Sequence, residues 1–197
     1  MPRAKNTYHH GDLRAACVSA ARELLEEDGG AALSLRAVAK RAGVSATAPY
    51  RHFADRDALV SAVAAEGYRE LAEHLARAHP CPTTPEDLAE IAIAYVRFSL
   101  EHPALFRAMF AEPCDPEHEE RAAATATIWT YVHDLVHTVF PEAEPEALST
   151  AVWSLVHGLA FLYLDGKLDA TAPEEIAGRI RSTVRAMLTA GAAVERG

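Results

Sequence analysis

The sequence predicts an all-α protein, and three observations carry that expectation. Apolar residues recur every three to four positions through most of the 197-residue chain. The periodic segments open on helix-start residues such as Asp12, Ser34, Asp55 and Thr84 and close on Gly or Pro. No segment alternates apolar and polar residues as a half-buried strand does. About nine helices follow, three short ones grouped at the N-terminus and the rest forming a helical bundle.

Residues 1–11, MPRAKNTYHHG, form a basic start without apolar periodicity, expected either to act as an arm that follows a DNA backbone or enters a minor groove, or to remain a disordered tail. Asp12 caps a first helix whose stripe of Leu13, Ala16, Cys17, Ala20 and Leu24 ends at Gly29-Gly30. Ser34 caps a second, with Leu35, Val38, Ala39 and Ala42 on its apolar face and Arg36, Lys40 and Arg41 on the other. Gly43 stops it, Val44 drops into the core, and Ser45 is expected to cap a third helix with Pro49 in its first turn. If Pro49 and Phe53 face inward, Thr47, Ala48, Arg51 and His52 face out with Tyr50 at the margin. That surface is small, polar and basic, as a helix entering a major groove requires.

Asp55 opens a long fourth helix, with Leu59, Val63, Gly67, Leu71 and Leu75 every four residues until His79-Pro80-Cys81-Pro82 breaks the pattern. The body continues from Thr84 to Pro103, from Pro103 to about Phe110, through Trp129 to Pro141, and from Pro145 to Asp165-Gly166. Thr171-Ala172-Pro173-Glu174 reads as a capping box for a last helix running towards Gly191.

Composition fits a DNA binder once the charge is divided. The formal net charge is −9, yet residues 1–56 hold nine Lys/Arg against six Asp/Glu, a local +3 that leaves −12 on the remainder. The basic end is drawn to phosphates and the acidic body is repelled, which favours one docking orientation. Half of the residues are hydrophobic, ample for a core. Cys17, Cys81 and Cys114 lie far apart without a C-x-x-C pair, which argues against a disulfide scaffold or zinc module and leaves redox sensing at Cys81 or Cys114 as a minor alternative. No signal peptide and no apolar run of about 18 residues is read, so a cytoplasmic protein with no membrane contact is expected.

The stretch AGVSATAPYRHFADRDALVSAV resembles the DNA-binding domain of TetR-type transcriptional regulators. It carries the Gly43-Val44-Ser45 turn, the Tyr50-Arg51-His52-Phe53 element, and Arg56 after Asp55 at the start of the long helix. The resemblance implies an N-terminal helix-turn-helix domain over 11–71 and a ligand-binding and dimerisation domain over 84–191. It implies phosphate contacts from Tyr50, His52 and Arg56, and base or groove contacts from Arg36, Ala46, Thr47, Ala48 and Arg51, with Ser45 opening that face. Ala46 and Pro49 depart from the larger polar residue and the leucine common in the family. Trp153-x-x-x-His157-Gly158 is similar to the Trp-His-Gly signature of a subset of TetR-type C-terminal domains.

The resemblance further implies a homodimer through the last two long helices, double-stranded operator DNA as partner, and a small apolar or aromatic effector. Tyr95, Phe98, Phe106, Met109, Phe110, Trp129, Trp153 and Phe161, with His133, His157 or Tyr131 as polar handles, are the candidate pocket. Such aromatics equally describe a plain core. His133 and His137 have metal-pair spacing beside Asp134 but no evident third ligand, so neither metal nor cofactor is expected. The leading reading is a repressor released by its effector. The alternatives are a ligand-independent activator or architectural DNA binder and, with no catalytic motif to carry it, an enzyme using His133, Asp134 or His157.

Overall fold

The computed structural model describes residues 12–30, 33–111 and 119–194. The N-terminal arm, Gly11, and the acidic stretch with Cys114 lie outside the described residues. Eight α-helices and one short 3₁₀ turn make up the described chain: α1 Leu13–Asp28, α2 Leu35–Arg41, the 3₁₀ turn Pro49–Arg51, α3 Arg56–Ala78, α4 Pro85–Glu101, α5 Pro103–Phe110, α6 Glu119–Val139, α7 Pro145–Leu164 and α8 Pro173–Val194. No strand occurs among the described residues.

The helix starts follow the side chains that satisfy their first N–H groups. Asp12 accepts from the Ala15 N–H at 2.9 Å, Ser34 from Ala37 at 3.2 Å and Asp55 from Ala58 at 2.8 Å. Thr84 and Asp87 cap α4 reciprocally. At α7 the cap is Glu144, whose carboxylate accepts from Glu146 and Ala147 ahead of Pro145. The box expected at Thr171 does not form: the Ala172 carbonyl accepts the first bonds of α8, and the Thr171 N–H is drawn back to the Asp169 carboxylate at 2.8 Å.

Helix α3 is the centre of the molecule. It packs on α1 and also against α4, α5 and α6. Leu59, Val63, Leu71 and Leu75 are at most 2 % exposed, and burying such side chains contributes about 1.5–3 kcal/mol each. Gly67 lets α5 approach closely, since a Cβ there would lie 2.7 Å from the Met109 sulfur. The α4–α7 and α4–α8 contacts complete the bundle.

Helix α7 is long and apolar enough on average, by length and composition only, to cross a membrane, although Glu146, Ser149, Thr150, Ser154 and His157 interrupt it. Val156, Leu159, Ala160 and Tyr163 bury one side of it in the body. On the opposite side, Leu162 is 43 % exposed and a Cβ on Gly158 would meet nothing.

Candidate functional site

The turn between α2 and the candidate reading element, Ser45–His52, is built by Gly43, whose φ of 69° closes a Schellman motif. Its N–H donates to the Lys40 carbonyl at 3.3 Å and that of Val44 to the Ala39 carbonyl at 3.0 Å. Val44 packs on the core. The element that follows is not a regular α-helix. Pro49 has no N–H to return to the Ser45 carbonyl, and the Ala48 N–H takes that oxygen instead, at 2.9 Å. The chain therefore makes a turn over Ser45–Ala48 and then a single 3₁₀ turn. The Ser45 hydroxyl lies 3.4 Å from that of Thr47 rather than capping a helix.

Pro49 is buried and Phe53 is 2 % exposed, while Ser45, Ala46, Thr47, Arg51 and His52 are exposed, Ala48 is half-buried and Tyr50 is 53 % exposed. Arg36 and Lys40 of α2 are exposed on the same module. Arg41 turns away, its guanidinium committed to Glu23 at 3.2 Å and Glu27 at 3.0 Å on α1, contacts that raise its own pKa and lower that of Glu27. Arg56 anchors the start of α3 by donating from Nε to the Leu33 carbonyl at 3.2 Å. Arg14 of α1 holds its guanidinium over the Phe53 ring and pairs with Glu120 of α6, which also receives Arg69 of α3 at 3.2 Å.

In the body, five of the ten candidate pocket residues form one aromatic cluster. The His157 ring lies 4.4 Å from Phe110, 4.8 Å from Phe161, 5.9 Å from Phe106 and 6.4 Å from Tyr95. The Tyr95 hydroxyl and His157 Nδ1 are 3.0 Å apart. Burial raises the Tyr95 pKa and lowers that of His157, so a neutral phenol is paired with a neutral imidazole. Trp129 and Trp153 face each other at 5.4 Å beside this cluster.

Three candidates sit elsewhere. Phe98 is directed between His74 and His102, 5.7 and 5.0 Å away. Met109 is buried against Gly67. His133 keeps 41 % of its side chain exposed, 3.8 Å from Asp134. No group of three His, Cys, Asp or Glu able to hold a metal gathers among the described residues.

Two spaces border the cluster. An open cleft of about 230 Å³ is lined by Phe110, Trp129, Thr150, Trp153, Ser154 and His157. Beside it, sharing the Trp153 wall, lies a smaller and more enclosed cavity of about 30 Å³ between α3, α4, α6 and α7, walled by aliphatic residues together with Tyr95, Tyr131 and Trp153. Leu75, Ile91, Ile128 and Val156 of that wall carry no signal in the sequence that separates them from ordinary core.

A short basic reading element on a helical hairpin, joined by one long helix to an all-helical body, defines a DNA-binding regulator of the helix-turn-helix class. The family model for bacterial regulatory proteins of the tetR family matches residues 18–63, and that for the tetracyclin repressor-like C-terminal domain matches residues 88–187. The chain belongs to the TetR family of transcriptional regulators. The HTH-type transcriptional regulators Rv1816 of Mycobacterium tuberculosis and Mb1846 of Mycobacterium bovis are each 30 % identical to it over 120 residues, 58 % of this chain and 51 % of theirs. The chain thus spans about half the length of these relatives.

Among solved structures, a protein of unknown function from Rhodococcus sp. RHA1 superposes with a TM-score of 0.78 at 30 % identity, over 91 % of this chain and 97 % of that one. The TetR family transcriptional regulator PfmR from Thermus thermophilus shares the fold at a TM-score of 0.63 and 20 % identity, over 85 % of this chain and 96 % of its own.

Proposed function

We propose that the protein is a homodimeric repressor that holds double-stranded operator DNA through two reading heads and leaves it when a small apolar or aromatic effector enters the body. The observation that carries this reading is the sidedness of the reading element. Pro49 and Phe53 are buried, and the Thr47, Tyr50, Arg51 and His52 side faces solvent. Arg36, Ser45, Ala46, Thr47, Ala48 and Arg51 would lie against the groove and Tyr50, His52 and Arg56 against phosphates. Residues 11–71 would act as the reading domain and 84–191 as the effector and dimer domain, with α3 passing from one to the other.

One such short element reads few base pairs, so specificity calls for two. The exposed side of α7 with Leu162 and Gly158, together with α8, would pair with the same helices of a second copy in a four-helix contact. By its resemblance to the Trp-His-Gly signature, the Trp153-x-x-x-His157-Gly158 element would put the body in that subset. No catalytic role is part of this reading. Effector release would be a population shift: a ligand that fits only the DNA-incompetent spacing of the heads lowers operator affinity by its differential affinity for that state.

A ligand-independent activator or architectural protein is the second reading, favoured by the small size, about 30 Å³, of the closed cavity. The test is selection of bound fragments from a genomic DNA pool, followed by sedimentation of the protein alone and on the selected duplex. Recovery of a two-fold-symmetric sequence bound by a dimer, and its release by small apolar or aromatic compounds, supports the first reading; selective binding that no such compound weakens supports the second, and unselective recovery overturns the operator-binding reading.

A further inference from the structure

Trp153 is a wall of both spaces in the body. It lines the outer cleft with Trp129 and His157, and it lines the closed cavity with Tyr131 and Leu75. Its ring is held by the facing Trp129 ring at 5.4 Å. Because one side chain lines both spaces, a rotation of Trp153 that breaks this ring contact would open one space to the other.

The linings define what such a chamber accepts. Neither contains an acidic, lysine or arginine side chain. Burial favours the neutral form of His157, whose Nδ1 is already hydrogen-bonded with the Tyr95 hydroxyl. A carboxylate, phosphate or ammonium group would therefore enter without a counter-charge, which is strongly unfavourable. The Tyr131 hydroxyl is buried and has no hydrogen-bond partner among the described residues, and burial raises its pKa, so it is a neutral donor. A buried donor left unmet is unfavourable, and a ligand acceptor relieves it.

Size sets the entry mode. The closed cavity, about 30 Å³, has room for one or two waters. The outer cleft, about 230 Å³, exceeds the roughly 150 Å³ that takes a benzene ring.

We propose that the space behind Trp153 is a gated binding chamber for a small neutral molecule, mostly hydrocarbon with one hydrogen-bond acceptor, which enters from the outer cleft by displacing the Trp153 ring and pairs its acceptor with the Tyr131 hydroxyl. The proposal rests on the effector-responsive reading above and names the chemistry of the effector. Leu75 gives the chamber its link to the reading head, because it is a wall residue on α3. A ligand that widens the chamber presses on the helix that starts at the reading element.

The experiment uses three probes of similar shape, methyl benzoate, propylbenzene and benzoate, titrated calorimetrically into the full chain and into Tyr131→Phe, with association rates measured for Trp153→Phe. Wild type should bind methyl benzoate about fivefold more tightly than propylbenzene, the worth of one hydrogen bond, and benzoate at least tenfold more weakly than either. Tyr131→Phe should retain propylbenzene affinity, which also shows that it folds, and lose the preference. Trp153→Phe should raise the association rate of both neutral probes severalfold.

Benzoate binding as tight as methyl benzoate, a preference that survives Tyr131→Phe, an unchanged rate in Trp153→Phe, or no binding of the neutral probes at millimolar concentration would each overturn the proposal. DNA binding by the same samples separates the two levels. Intact operator binding with failed probe binding removes the chamber and leaves the regulator, whereas absent DNA binding removes the regulator reading itself.

Discussion

Tyr68 of α3 donates its hydroxyl to the Met109 carbonyl at 2.8 Å, and Arg121 of α6 donates to the same oxygen at 2.9 Å, so one buried carbonyl near the end of α5 joins three helices. Phe110 meets the Tyr68 ring edge-on at 5.4 Å and the His157 ring at 4.4 Å. The helix leading from the reading element and the aromatic cluster of the body are thus in continuous contact.

Gly67→Ala tests that contact. Alanine improves helix propensity by up to about 1 kcal/mol. The new methyl would nevertheless lie 2.7 Å from the sulfur of fully buried Met109, which has no solvent to swing into. Overpacking of this kind costs about 1–3 kcal/mol, so the packing effect wins. Urea unfolding should show a net loss of about 1 kcal/mol with unchanged slope. Tyr68→Phe should lose about 0.5–1.5 kcal/mol through its hydrogen bond alone.

Acidification should weaken the fold through His157 and His74. Burial lowers both pKa values from the ordinary 6.5. In the window between that value and the folded ones, the unfolded chain binds more protons, so stability falls as pH falls. Thermal unfolding between pH 7 and 5 should show the loss, and His157→Gln with His74→Gln should flatten it. A slope that survives both changes would assign it to other groups.

Glu120 joins Arg14 of α1 and Arg69 of α3 to the start of α6, but all three side chains are 38–50 % exposed. Solvent screening limits such pairs to about 0–1 kcal/mol. Glu120→Gln should therefore cost less than about 1 kcal/mol at low salt and nothing measurable in molar salt. A larger loss at high salt would mean that the contact is packing rather than charge.

Leu162→Glu tests the pairing of α7. Leu162 is 43 % exposed in the single chain, so the glutamate costs the protomer little. Buried in a two-copy contact, the same charge is unpaired and expensive. Sedimentation should show monomers with an unchanged helical spectrum, and a persistent dimer would place the interface elsewhere.

Much of this molecule was legible in its sequence because its helices are punctuated by side chains acting within one turn. Asp12, Ser34, Asp55 and Thr84 cap where they stand, and Gly43 closes its turn by its own conformation. Where the outcome depended on distant groups, the reading was poorer. Pro49 looked tolerable in a first turn, yet its missing N–H leaves only a 3₁₀ turn. Arg41 shares a polar face with Arg36 and Lys40, but Glu23 and Glu27 of α1 claim it.

The pocket shows the same limit. Helical spacing brought Trp153, His157 and Phe161 to one side of α7, while Phe98 and Met109 are directed elsewhere by the crossing of α4 and α5 with α3. The aliphatic wall of the closed cavity is indistinguishable in sequence from filled core, since a void is a property of several helices at once.

The central claim is that the exposed side of the Ser45–His52 element reads DNA. Its most direct test is titration of a selected duplex with wild type, Arg51→Ala and Tyr50→Ala across a range of salt, beside sedimentation of each protein. The account predicts a steep salt slope for wild type and a loss of about 1–3 kcal/mol with relaxed sequence preference for Arg51→Ala. Tyr50→Ala should show a smaller, sequence-independent loss with the slope retained, because a tyrosine hydroxyl carries no charge to displace counterions. Both variants should keep the fold and the dimer. Affinity unchanged in both would contradict the placement of the reading surface.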